Sequence, residues 1–226
     1  MIGLQEVEHV GILEDLADTT QLSPFAYQAV LLEGTDSRGI DVGYLVRGDV
    51  QILDVKQFPA PEELTSRPPL LLKVGVKLES GTRTLYLLNN HFLSMSGGEL
   101  ATAPRRVAQA AWNAGLVEQI LAEDPNAQII VMGDLNSYYI SAPNDTLRDP
   151  GLVHVFDDLK PEERYTYIYQ GIAQVLDHML VNENLAPAIS RVDILHVNSD
   201  FPLQLPGDTS VMHKSDHDPV VITLDF

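Results

Sequence analysis

The stretch Val131 to Tyr139, VMGDLNSYY, constrains this chain more than any other. It is entered through an apolar run, Ala127 to Met132, whose only polar residue is Gln128. Such a run reads as a buried strand, and Gly133 ends it at a turn that a side chain would block. Asp134 and Asn136 follow, two residues apart and therefore on one side while the chain stays extended. A carboxylate and an amide at the mouth of a buried strand suit a binding or catalytic site in an α/β protein. Asp and Asn are also ordinary turn formers, so the rest of the chain must decide.

Taken in order, the chain predicts alternating short strands and few helices. Met1 to Val7 reads as a buried strand, His9 to Asp18 as a short helix, and Phe25 to Leu32 and Ile40 to Val46 as strands. Val50 to Val55 is expected to pair with the preceding strand across Gly48-Asp49 as a hairpin. Gln57 to Pro69 carries four prolines and reads as a long surface loop. Leu70 to Leu78 and Thr84 to Asn89 form a second expected hairpin. Asn90 to Ala103 reads as loop, and Pro104 suits the first position of a helix that Asp124-Pro125 ends. Its expected apolar face is Val107, Ala110, Ala111, Ala114, Val117, Ile120 and Leu121. Beyond the Gly133 motif come a helical turn at Asn144 to Leu147 and strands at Tyr165 to Tyr169, Val175 to Val181, Ile189 to Val197 and Pro219 to Phe226. Neither repeat nor linker interrupts the pattern, so one α/β domain over residues 1–226 is expected.

Five polar clusters sit at or within apolar runs: Gln5-Glu6, Asn89-Asn90-His91, Asp134 with Asn136, Asp177-His178, and Ser215-Asp216-His217. Any one of them is better read as a capped strand end. Five together, rich in carboxylate, His and Asn, strain that reading. The chain has no cysteine, which excludes thiolate metal sites and disulfides. Oxygen and imidazole donors alone suit a hard cation such as Mg²⁺ or Mn²⁺, with Ca²⁺ a further candidate. A net charge of -18 argues against broad attraction to nucleic acid or anionic membrane, so a polyanionic substrate would need a metal or a local cationic patch. No apolar run reaches the roughly 20 residues of a transmembrane helix. No basic leader precedes a hydrophobic segment, so no signal peptide is expected.

In order, LQEVE, NNHF, GDLN, YTY…LDHML and SDHDP resemble the endonuclease/exonuclease/phosphatase superfamily, which includes pancreatic deoxyribonuclease and the apurinic endonucleases. The NNHF, Arg-Pro-Pro and YTYIYQG stretches look closest to its bacterial extracellular nucleases, which suggests a secreted parent protein and otherwise leaves localisation open. The resemblance implies a four-layer α/β sandwich, two mixed sheets with helices outside, and a metal-dependent phosphodiesterase acting on DNA, with RNA a further candidate. It implies that Glu6 and Asp216 bind the metal, and that Asp134 and Asn136 orient or activate the attacking water. It makes His217 a contact of the scissile phosphate, Asp177 the orienter of His217, and His91 a second catalytic histidine. Arg67 corresponds to a phosphate-contacting arginine, and Asn136 and His217 also face the phosphate; Thr166 falls in a segment that lines the site.

Elementary chemistry agrees with these assignments. A divalent cation neutralises the charge that builds on an attacked phosphodiester. A positioned carboxylate can act as base, and a histidine with an Asp partner is held in one tautomer and stabilised as a cation. His178 should point to the opposite face of its strand from Asp177, and His9, His154, His196 and His213 read as surface or packing residues. Tyr165, Tyr167 and Tyr169 read as cross-strand packing.

The chain departs from the superfamily pattern at its start, where a strand bearing an asparagine and a helix usually precede the QE strand. The fold is therefore expected to be N-terminally shortened, its metal site weakened, and its sheet edge open to a second copy of the chain. Rival readings are a phosphomonoesterase or phospholipid/inositol phosphate hydrolase of the same fold, and a catalytically inactive remnant.

Overall fold

The computed structural model describes residues 1–61 and 63–226. Its elements in chain order are β1 (Ile2–Val7), α1 (Val10–Ala17), β2 (Gln28–Leu31), β3 (Asp41–Val46), β4 (Val50–Gln57), β5 (Leu70–Leu78), β6 (Gly81–His91), α2 (Glu99–Glu123), β7 (Gln128–Asp134), α3 (Ala142–Arg148), β8 (Leu152–His154), β9 (Tyr167–Tyr169), β10 (Ile172–Gln174), β11 (Asp177–Asn182), β12 (Ile189–Ile194) and β13 (Val220–Leu224). The central sheet has the order β4-β5-β6-β7-β11-β8. Its one parallel pair, β6 with β7, is joined by α2, since parallel neighbours need a crossover connection. The facing layer is built from β1-β3-β2 and from β12-β13, with β1 and β3 over β6 and β7, and β13 over β11.

Period-two alternation decides which side chains go where. On β7, Ile130 and Met132 enter the core between the sheets, whereas Ile129 and Val131 meet α2 through Leu116, Val117 and Ile120. On β5 and β6, Leu70, Leu72, Leu85 and Leu87 join the inter-sheet core, and on β11 so do Met179 and Val181. Each such fully buried aliphatic side chain contributes about 1.5–3 kcal/mol. A third cluster seats Leu13 and Ala17 of α1 on Leu45 and Val7. Helix, sheet layer, sheet and helix make the four layers of an α/β sandwich.

Several expectations need correction. β4 does not pair with β3; it pairs with β5, and β3 lies between β1 and β2. Both edges of β3 are thus occupied, and the turn at Gly48-Asp49 carries the chain across to the other sheet layer. Among the described residues only the six-stranded sheet is mixed; the facing layer is antiparallel, because of the described connections only the β6-α2-β7 crossover joins parallel strands. Helix α2 begins at Glu99, so Pro104 lies inside it and leaves the Leu100 carbonyl without its usual donor. The buried face of α2 also includes Arg106, Gln109 and Asn113, whereas Ala111 is exposed. Gln109 explains that rotation. Its Oε1 accepts from Leu93 N–H at 2.9 Å and its Nε2 donates to Leu64 O at 3.1 Å, tying two loops to the helix. Strands β8 and β10, of three residues each, were too short to read from the sequence.

Candidate active site

The same alternation that fills the inter-sheet core places three polar groups at its end. Continuing the parity of Leu85 and Leu87 along β6 reaches Asn89 and His91; continuing Ile130 and Met132 along β7 reaches Asp134. On β11 the parity of Met179 and Val181 runs back to Asp177. The registers then align them, since His91 pairs with Asp134 across β6–β7, and Asp177 with Asp134 across β7–β11. Asn89 anchors this end of the core by donating to Leu4 O and Gly43 O, both at 3.0 Å, while accepting from Gln5 Nε2 at 2.6 Å.

Asp134 Oδ1 accepts from the Asn136 N–H at 2.8 Å, and Oδ2 accepts from Asn136 Nδ2 at 3.1 Å. The same amide donates to Phe92 O at 3.2 Å. Asn136 has a φ of +46°, a left-handed conformation that non-glycine residues adopt at a cost, and one that concentrates at functional sites. Burial raises the pKa of Asp134, and the neighbouring Asp177 charge adds to the rise against the opposing pull of His217. His91 Nε2 stands 3.5 Å from Asp134 Oδ2, and its buried Nδ1 has no hydrogen-bond partner among the described residues. Burial, with Arg67 next, pushes the His91 pKa down to about 3, so its imidazole is neutral.

His217 comes from the far end of the chain, and an isolated bridge to Tyr167 in the β9 segment brings it into place. The Tyr167 ring lies 4.8 Å from the imidazole. Asp177 Oδ2 accepts from His217 Nδ1 at 2.7 Å. Burial opposes a charge on this ring, but the hydrogen bond and charge of Asp177, helped by Asp134 and Asp216, outweigh it and raise the pKa to about 9. His217 is therefore an imidazolium at neutral pH, with Nε2–H left to face a ligand. Thr166 is buried behind Asp177: its hydroxyl accepts from the Leu176 and Asp177 N–H groups, both at 3.1 Å, which positions Asp177.

Glu6 and Asp216 stand outside this compact centre. Glu6 is exposed, with a φ of +55° beside an irregularity in β1 pairing, and Arg38 Nη1 lies 3.4 Å from its carboxylate. Asp216 is exposed on the other flank. Glu6 contributes to the raised pKa of Asp134, and Asp216 to that of His217, so both carboxylates act on the same centre. Asp134, Asp177 and His217 form a close group of potential ligand atoms, all within 4.8 Å of one another. A histidine that keeps its proton to about pH 9 is a poor ligand, so the carboxylates are the better donors. A buried carboxylate with raised affinity for protons, Asp134, beside the Asp177 carboxylate and with no thiolate in the chain, fits a hard divalent cation.

Arg67 is where the structure departs most from a simple phosphate contact. Its guanidinium donates to His91 O at 3.3 Å, Phe92 O at 3.1 Å and the Asp36 carboxylate, and its side chain is 8% exposed. It braces the backbone that carries His91. Asp36 and Asp218 were missed by sequence reasoning. Asp218 accepts from His196 Nδ1 at 3.0 Å, Asn198 N–H at 2.9 Å and the Ser199 N–H and hydroxyl, fixing the loop beside His217. The second aspartate of SDHDP was its only signal. Tyr167 packs on His217, its antiparallel bridge partner, which is the cross-strand packing expected of it, whereas Tyr165 stacks on His196 with centroids 4.0 Å apart.

His178 points away from the centre, as its position on β11 requires, and joins His154 in a buried pair. His178 Nε2 donates to Ser137 O at 2.7 Å, and its Nδ1 accepts from His154 Nε2 at 2.9 Å. His154 Nδ1 accepts from the Phe156 N–H at 3.1 Å, so both rings are neutral and fully assigned. Burial lowers the pKa of His178 to about 4 and that of His154 well below its ordinary value. The unfolded chain protonates His178 near pH 6.5, while the folded chain resists until about pH 4. Its contribution to stability is therefore complete above pH 6.5 and lost as pH falls toward 4, on the order of 3 kcal/mol, and the lowered pKa of His154 acts in the same direction. The raised Asp134 carboxyl takes up a proton on folding over much of the same range and opposes this fall, so urea unfolding of Asp134→Asn between pH 7.5 and 4.5 should show it; a flat profile in that variant would count against it.

Residues 1–198 match the profile of the Endonuclease/Exonuclease/phosphatase family. No curated protein matches the chain. Among solved structures, Danio rerio TDP2 complexed with a single-strand DNA product aligns with a TM-score of 0.66 and 20% identity, over 99% of this chain and 85% of that one. The human Nocturnin catalytic domain with bound sulfate aligns with a TM-score of 0.62 and 17% identity, over 98% of this chain and 80% of that one. An endonuclease/exonuclease/phosphatase protein of Bacteroides vulgatus gives 0.64 and 16%, over 99% of this chain and 84% of that one. At such identities the likeness concerns the fold, but the family profile covers most of the chain and spans the QE, NNHF, GDLN and LDHML stretches. The chain belongs to the endonuclease/exonuclease/phosphatase family.

Proposed function

We propose that this chain is a divalent-metal-dependent phosphodiesterase that cleaves nucleic acid, with DNA the first substrate and RNA a second. One observation carries the proposal: the Asp134–Asn136 pair and the His217–Asp177 pair converge on one partly buried centre. Glu6 and Asp216 would hold a divalent cation, which would supply charge neutralisation at the attacked phosphate when bound. Asp134 takes the proton of the attacking water at a carboxylate oxygen, which its raised proton affinity favours. Asn136 fixes Asp134 through two hydrogen bonds. His217 directs its charged Nε2–H at the phosphoryl oxygens, where negative charge grows in the transition state. Neutral His91 polarises the reacting group from the Asp134 side.

Support from relatives is of the same kind. The TDP2 structure cited above holds a single-strand DNA product, and the Nocturnin domain binds a sulfate, an anion of phosphate shape. A second reading, hydrolysis of inositol phosphates, is favoured by the net charge of -18, which disfavours long polyanions. Assays with plasmid DNA, RNA, bis-p-nitrophenyl phosphate and inositol phosphates in Mg²⁺ or Mn²⁺ separate the two. Cleavage of inositol phosphates alone would replace the nuclease reading, and no cleavage of any would refute both. Glu6→Gln should weaken Mn²⁺ binding in calorimetry and hydrolysis together; an unchanged affinity would remove Glu6 from the metal site.

A further inference from the structure

Beside the centre lies a groove of about 420 Å³ whose lining includes Arg38, Arg67, Arg105, Ser66, Ser94 and Ser96. Three arginines on one groove are notable in a chain with only 14 Lys and Arg against 32 Asp and Glu. They are held differently. Arg67 is rigid, bound to two carbonyls and to Asp36. Asp36, the acid within the groove, is already engaged by Arg67 and by the Ser66 hydroxyl at 2.9 Å. The Arg105 stem is fixed by donation from Nε to Leu64 O at 2.9 Å. The Arg38 side chain is 57% exposed and its guanidinium makes long contacts, 3.4 Å to Glu6 and 3.4 Å to Asp36. The exposed pair with Glu6 contributes little, so the Arg38 guanidinium can turn from it to an incoming anion at small cost.

The groove adjoins the residues that carry the reacting centre. Arg67 holds the His91 and Phe92 carbonyls, Arg38 faces Glu6, and Leu93 and Ser94 follow His91 directly. The field of both Arg67 and Arg38 reaches His91 and lowers its pKa. The hydroxyls of Ser94 and Ser96 add neutral donors matched to phosphate oxygens. Guanidinium forks beside hydroxyls form a recurring way to hold a phosphate.

We propose that this groove holds a second, non-reacting phosphate of the substrate, so that the preferred substrate is a nucleic-acid strand of at least two phosphates. The proposal rests on the phosphodiesterase reading and refines it. It also answers the charge problem, because three arginines give an otherwise acidic molecule a local cationic patch beside the centre. Inositol polyphosphates carry the same chemistry without a strand, and the test separates them.

The test compares bis-p-nitrophenyl phosphate and dithymidine monophosphate, each with one phosphate, with a thymidine trinucleotide of two. The second phosphate should raise kcat/KM by about tenfold or more, and Ser96→Asp, an exposed change that adds repulsion, should reduce that advantage at least fivefold. Arg105→Gln should act in the same direction. An advantage near unity, or one that neither variant alters, would overturn the proposal. Binding is read separately, by anisotropy of a labelled trinucleotide in EDTA, where no turnover is needed. If no diester is cleaved but the trinucleotide binds and Ser96→Asp weakens it, the hydrolysis reading fails and the groove stands. Displacement of the trinucleotide by inositol hexakisphosphate but not by unlabelled oligonucleotide would assign the groove to the other ligand and overturn the strand.

Discussion

Replacing Asp134 by Asn is expected to lower kcat on a phosphodiester by about 10²–10⁴-fold, the range of a lost general base, with little change in KM. The substitution keeps the shape of the side chain. Its remaining carbonyl oxygen can still accept the Asn136 N–H that now reaches Oδ1 at 2.8 Å. What disappears is the ability to accept a proton, together with the donation from Asn136 Nδ2 to Oδ2, whose loss the Phe92 O partner of the same amide offsets in part. Stability should move the other way. Asp134 is buried beside the Asp177 carboxylate, with Glu6 adding further negative charge, and burial and like charges already disfavour its ionised form. A neutral amide removes that repulsion, so the variant should unfold at the same or higher urea concentration in the absence of metal. Loss of turnover in a protein that is no less stable separates a chemical role from a folding defect. A decrease smaller than about tenfold would remove Asp134 from the base role.

The centre was legible where one strand's alternation carried the signal. Ile129 to Asp134 alternates between two cores, and the position of Asp134 on the inter-sheet side follows from counting. His91 and Asp177 follow by the same count on their own strands. The sequence offered less where a partner lies far along the chain. Asp36 meets Arg67 across 31 residues and Asp218 meets Asn198 across 20, and no local pattern marks either pair. The hairpin expected of Val50 failed for a related reason: a short Gly-Asp connection suggests local pairing, but β3 had no free edge to offer. The rotated face of α2 failed because residue type misleads there. Gln109 and Asn113 are polar, yet they are buried with backbone partners, Gln109 serving Leu93 N–H and Leu64 O, and Asn113 donating to Gln109 O at 3.0 Å.

Replacing Gly133 by Ala should be among the most damaging single changes in the chain. Gly133 has a φ of +129°, a conformation that a residue with a Cβ rarely adopts. An added Cβ would lie 2.0 Å from the Asn90 carbonyl oxygen and 3.0 Å from its nitrogen. Those atoms are backbone of β6, the parallel neighbour, and cannot swing aside as a flexible side chain could. Backbone strain costs about 1–3 kcal/mol, and overpacking costs a further 1–3 kcal/mol or so. For a chain of this length each kcal/mol lowers Tm by about 2–4 °C, so a fall on the order of 10 °C is expected. The site should suffer beyond the global loss. Easing the overlap means parting β6 from β7 at the step before His91 faces Asp134, now at 3.5 Å between Nε2 and Oδ2. At a temperature where the variant is still fully folded, its kcat should therefore remain depressed, as a displaced base predicts. A Tm within about 2 °C of the parent, measured by calorimetry, would show that the strand pair yields at this point, and the tight approach of β6 and β7 would then not be what positions Asp134.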